Sequence, residues 1–87
     1  MHVTAVESST LATVAYDETR ELLQLEFRSR AIYQYSGVSA AVHESLLLAP
    51  SKGSYFNRVI GGRYPYCLAW NVRIGGREEG NQAEGPR

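Results

Sequence analysis

The chain has a single cysteine, Cys67, so no disulfide can close within it. That usage suits a reducing compartment, and a cytoplasmic location is expected. No apolar run approaches the ~20 residues needed to span a bilayer. The N-terminus lacks a charged start followed by an apolar stretch, so neither a signal peptide nor a membrane partner is expected. Net charge is missing too: Lys+Arg 9 balance Asp+Glu 9. No bulk basic field draws nucleic acid, and any electropositive surface must come from segregated charge.

Catalytic groupings are equally scarce. His2 and His43 are far apart and carry no partner set around them. Cys67 has no nearby His and no second Cys, so neither a nucleophile dyad nor a zinc site is signalled. His43-Glu44 is not the His-Glu-x-x-His zinc pattern, and Glu26 falls on the polar side of a strand. No catalytic residue, metal or cofactor is assigned, and the chain is expected not to be an enzyme. Lysine is nearly absent. Lys52 is the only one, and the other cations are Arg, whose planar fork suits phosphate, carboxylate and base edges. A bias in codon composition explains the same excess.

What is present fits one small domain of 87 residues, 44% hydrophobic and 21% charged. So small a core leaves little stability to spare, and dimerisation would add to it. His2-Val3-Thr4-Ala5-Val6 alternates weakly, as a short edge strand does. Leu11 to Tyr16 is rich in strand formers, and Asp17-Glu18-Thr19-Arg20 reads as a four-residue turn. Leu23-Gln24-Leu25-Glu26-Phe27-Arg28 alternates cleanly, with Leu23, Leu25 and Phe27 on one face. Ser29-Arg30 is a tight connection, and Ala31-Ile32-Tyr33-Gln34-Tyr35 returns antiparallel.

After Gly37 the period changes to that of a helix. Ser39 is a natural N-cap, Val42 and Leu46 share a stripe, and Pro50 ends the segment. Ser51 or Ser54 caps a second helix carrying Tyr55, Phe56, Val59 and Ile60, which Gly61-Gly62 stops. Tyr64 to Trp70 is either a final strand or an extended arm over the core. From Asn71 the segment is Gly-rich, without apolar period, and reads as a flexible tail. The expected domain is therefore 1–70, with a tail over 71–87.

The order and spacing of these pieces resemble the KTSC domain. The carrying residues are Ser8-Ser9, Val14-Ala15-Tyr16-Asp17, Leu23 to Phe27, Tyr33-Gln34-Tyr35, Val38, Ala49 to Asn57, Ile60 and Tyr64. Each motif is weak alone; together they cover about residues 3 to 66. The family is named for its occurrence at the C-terminus of some lysyl-tRNA synthetases, and it also stands alone in bacteria and phages. The resemblance implies no established activity; the synthetase context implies RNA only by association. Two departures stand out. The family usually has Gly just before the Tyr-x-Tyr strand, where this chain has Ser29-Arg30, and Pro after the Val, where it has Ser39.

Eight residues are candidates for ligand binding. Tyr33 and Tyr35 project from one face, either as a platform that stacks bases or as core filling beneath the helices. Parity with Leu23, Leu25 and Phe27 favours the core. Ser51, Lys52 and Gly53 precede a helix, where free amides and a cation suit an anion, or where they form a capped turn. Arg58 lies about one turn further on, and Arg63 can extend the patch. Tyr55 is a further stacking candidate, and Asn57 either binds a ligand or locks the turn.

The expectation is a small α+β domain. A three- or four-stranded antiparallel meander carries two helices on one face. The function is non-catalytic binding of RNA or a phosphorylated nucleotide, with Arg28, Arg30, Lys52, Arg58 and Arg63 on phosphates. The alternative is a protein-interaction or homo-oligomerisation module built on Trp70 and Tyr64 to Tyr66.

Overall fold

The structure, a computed structural model, describes residues 1–74. Five strands follow one another in a single antiparallel meander, β1 (His2–Ala5), β2 (Leu11–Asp17), β3 (Leu22–Phe27), β4 (Ile32–Ser36) and β5 (Tyr66–Trp70). Between β4 and β5 come α1 (Ala40–Leu48) and α2 (Lys52–Tyr55). A π-helical turn over Phe56–Ile60 extends α2. The α+β class is as expected, but the sheet has five strands rather than three or four. The additions are its two edges. Tyr66–Trp70 is a strand, not an arm.

Register explains the core. Leu25 lies opposite both Val14 and Tyr33, and Leu23 opposite both Tyr16 and Tyr35. Residues directly opposite share a face, so these side chains form one apolar surface. Val38, Leu46 and Ile60, from the helical segments and the approach to them, close over it and are fully buried. A bulge between Leu11 and Thr13 shifts the β2 register by one residue. Leu11 thereby joins Phe27 in the core instead of sharing the outer face with Thr13. The outer face is polar in the middle: Thr13 donates to Glu26, and Gln34 donates to Gln24.

The helices begin where their caps dictate. The Ser39 hydroxyl accepts the Val42 N–H, and the Ser51 hydroxyl accepts the Ser54 N–H. Val38, just before the first cap, is buried. Gly61 N–H reaches back to Phe56 O at 2.7 Å, the wide spacing that defines the π turn. Gly62, at φ 77°, then turns the chain toward β5. Beyond β5, Asn71 Oδ1 accepts the Ile74 N–H and caps a short helical turn. The rest of the expected tail lies outside the described residues.

The β3–β4 hairpin places Arg30 at φ 78°, in the left-handed region. Its N–H donates to Phe27 O at 2.8 Å, which fixes that geometry. An L-residue there costs about 1–2 kcal/mol, which Gly avoids. The Gly usual in the family at this hairpin thus has a backbone reason. Arg30→Gly is expected to stabilise the domain by about 1 kcal/mol, raising the thermal midpoint by about 4–8 °C. A melt showing no rise would mean that the Arg30 side chain contributes compensating contacts.

Candidate functional site

The eight candidates separate into three groups by what their side chains already touch. The first is the turn into α2. Lys52 Nζ donates to the Ala49 carbonyl at 3.0 Å, so the only lysine satisfies the end of α1. Ser51 spends its hydroxyl on the Ser54 amide. Gly53 faces Thr10: a Cβ built there would stand 2.3 Å from Thr10 Oγ1 and 3.0 Å from Thr10 Cβ. The glycine therefore admits the approach of Thr10, just before β2, while the Ser51 hydroxyl and the Lys52 ammonium are engaged within the chain. For these three residues the capped-turn reading is the one that accounts for the geometry.

The second group is aromatic. Tyr33, Tyr35 and Tyr66 form a mutual cluster, with ring centroids 6.5, 5.7 and 5.7 Å apart. Phe56 packs edge-on against both Tyr35 and Phe27. Tyr35 is the buried member, only 5% exposed. Burial pushes its hydroxyl pKa up to about 12, and the neighbouring Tyr33 and Tyr66 hydroxyls add to the rise. Of the two readings of the Tyr33/Tyr35 pair, burial of the Tyr35 ring fits core filling. Tyr33 is half-buried, and Tyr66 is 62% exposed. The exposed aromatic partner is thus Tyr66. Its signal was its place directly opposite Tyr35, legible only once β5 is known to be a strand.

The third group lies on the π turn and its exit. The Arg58 guanidinium sits over the half-buried Tyr55 ring, 6.0 Å from its centroid. Arg63 Nε donates to the Arg58 carbonyl at 2.8 Å, which brings its guanidinium to Arg58. Arg58, Arg63 and Asn57 are exposed. Every acidic residue of the described chain lies at or before Glu44, so this half carries Lys52, Arg58, Arg63 and Arg73 with no carboxylate between them. Charge is segregated along a chain of zero net charge.

Arg28, by contrast, is engaged within the chain. Arg28 Nε donates to Ser8 O at 3.0 Å, and its Nη2 to Val6 O at 3.3 Å, pinning the β1–β2 connection to the end of β3. His43 stacks on Tyr16 at 4.6 Å, and burial lowers its pKa despite the nearby Glu44 carboxylate. Tyr16 in turn donates its hydroxyl to the Val38 carbonyl, so this pair anchors α1 to the sheet. Among the described residues, no three His, Cys, Asp or Glu side chains gather where they could hold a metal ion. No helix among them is long and apolar enough to cross a membrane.

A five-stranded antiparallel meander with a capped helical lid and a cationic, aromatic corner defines a small α+β domain. The chain belongs to the KTSC domain family, which matches residues 7–64. A crystal structure of a KTSC domain protein from Yersinia pestis superposes with a TM-score of 0.77 at 32% identity, covering 79% of this chain and 97% of that one. A lysine–tRNA ligase from Nostoc sp. is 43% identical over 60 residues, 69% of this chain. An uncharacterized protein from Stutzerimonas stutzeri is 42% identical over 55 residues, covering 63% of this chain and 78% of that protein. The chain spans only 11% of the length of the Nostoc lysine–tRNA ligase that it matches.

Proposed function

We propose that this domain is a non-catalytic binding module whose ligand is RNA or a phosphorylated nucleotide. The observation that supports it is the cluster of Arg58, Arg63 and Tyr55 on a stretch of chain without carboxylates. Arg58 and Arg63 supply the phosphate contacts, and the rings of Tyr55 and Tyr33 stack a base. Asn57, exposed on the same turn, offers an amide to a base edge. The likeness to lysine–tRNA ligases, whose name says that they act with tRNA, agrees with a nucleic-acid ligand. Ser51, Lys52, Gly53 and Tyr35 serve this surface from behind, by fixing the helix that carries it.

The test is an amide-shift titration with a short mixed RNA pool, then mononucleotides and cyclic dinucleotides, at low and near-physiological salt. Shifts should gather at residues 55 to 63 and at Tyr33. Tyr55→Ala should weaken binding by about 1–3 kcal/mol per stacked base. Arg58→Ala should weaken it and lower the salt dependence, which scales as roughly −0.7 per phosphate in log K against log salt for single strands. No shift with any of these ligands at low salt would sink the reading.

A further inference from the structure

We propose that the open edge of β5 pairs antiparallel with β5 of a second copy about a two-fold axis at Cys67. The inference rests on backbone pairing and not on the ligand reading, although the seam runs beside Tyr33, which lies opposite Leu68 with its ring 5.7 Å from that of Tyr66. Ser36 N–H donates to Pro65 O at 2.9 Å, so Ser36 and Pro65 are a hydrogen-bonded pair of the β4–β5 ladder. Such pairs alternate along an antiparallel ladder. Gln34 and Cys67 are therefore the next bonded pair, while Tyr66 and Leu68, opposite Tyr35 and Tyr33, turn their backbone groups away from β4. Among the described residues nothing pairs with those groups. Pro65 does not blunt this edge, because its missing N–H faces β4.

The edge is complementary to itself. From Tyr64 to Val72 it carries no charge, so two copies meet without like-charge repulsion. Of the antiparallel registers, the one centred on Cys67 sets Tyr66 opposite Leu68 of the second copy and pairs all of their outward N–H and C=O groups. It also covers side chains the monomer leaves in water: Tyr66 is 62% exposed and Leu68 39%. Each Tyr66 ring would lie on the partner's Leu68, a favourable cross-strand pair. A head-to-tail pairing of β5 with the other edge, β1, would not close and would build fibres, whereas the two-fold seam closes. A seam of one short strand a side falls in the class below about 1,200 Å2, so the dimer is weak and reversible.

The register supplies its own reporter. Cys67 would face its symmetry mate in a non-bonded pair, with Cα atoms about 4.5 Å apart, inside the ~4.4–6.8 Å range for a disulfide. The experiment uses the full chain at rising concentration, with sedimentation equilibrium under reducing conditions and brief copper–phenanthroline oxidation in parallel. Mass should rise toward twice the monomer, and the Cys67 cross-link should rise along the same curve. Leu68→Lys, at an exposed position that leaves the core intact, should raise the dimer dissociation constant on the order of tenfold or more and suppress the cross-link alike, with an unchanged circular-dichroism spectrum. A monomer at all concentrations overturns the proposal. So does a dimer that neither cross-links through Cys67 nor responds to Leu68→Lys, since its interface would lie elsewhere, on the segment beyond Ile74 included. A cross-link that Leu68→Lys leaves untouched reports collision only, and also overturns it.

Discussion

Gly53→Ala is expected to destabilise this domain by about 2 kcal/mol and to lower its thermal midpoint by on the order of 10 °C. The sign is informative. In a helix open to solvent, Gly→Ala stabilises by up to about 1 kcal/mol, because alanine is the better helix former. Here the added methyl would stand 2.3 Å from Thr10 Oγ1. Rotation of the Thr10 side chain can move that oxygen, but Thr10 Cβ remains at 3.0 Å and belongs to the approach to β2. Either α2 lifts off the sheet or β2 shifts, and Ile60 and Phe56 lose packing in both cases. Thr10→Ala in the same chain should recover part of the loss, a coupling that a double-mutant cycle reads directly. If glycine were there to let a phosphate approach the helix, the substitution would leave stability unchanged and remove binding. Chemical unfolding of the two single variants and the double variant separates these outcomes.

The same residue shows how much of the fold was legible in the sequence. Clean alternation at Leu23, Leu25 and Phe27 revealed β3, and the pair Tyr33 and Tyr35 revealed β4, because period two is a property of the strand itself. Ser39 and Ser51 announced their helices because a cap is a local device, read within three residues. The edge strands were less visible. β5 carries a bulge between its pairings with Ile32 and Tyr33, so Leu68 and Trp70, two apart, lie on opposite faces and the alternation is broken. Partnerships between distant residues were not legible at all. Ser51-Lys52-Gly53 has the composition of an anion site, yet Lys52 turns back to Ala49 and Gly53 makes room for Thr10, more than forty positions earlier. Nor could spacing distinguish Tyr33 from Tyr35. They share a face, and only the end of the sheet that the helical lid covers decides which one is buried.

That distinction makes Tyr35 the residue whose loss should cost most among the eight candidates. Tyr35→Ala is expected to destabilise by about 3–5 kcal/mol, the range for emptying a buried aromatic site. Its ring is shared by Tyr33, Phe56 and Tyr66, and the cavity would open beneath all three. Tyr33→Ala, half-exposed, should cost less. Tyr35→Phe keeps the ring and removes the titrating group, so it should stay within about 1 kcal/mol of the parent at neutral pH. Alkaline pH then separates them. The Tyr35 hydroxyl holds its proton up to about 12 in the folded state, against the ordinary tyrosine value of 10.0. The unfolded chain thus releases that proton first. The contribution is complete below pH 10, is lost as pH rises, and is gone near pH 12. With water reaching the rim of the cluster, that loss is on the order of 1–2 kcal/mol. Tyr16, whose pKa is also raised by burial first and then by Glu21, Glu18 and Asp17, adds a loss of the same sign. Denaturation curves at pH 8 and at pH 11.5 should therefore show the parent losing more stability than Tyr35→Phe. Equal losses in the two proteins would place the Tyr35 hydroxyl in water and return its ring to the list of surfaces a ligand can reach.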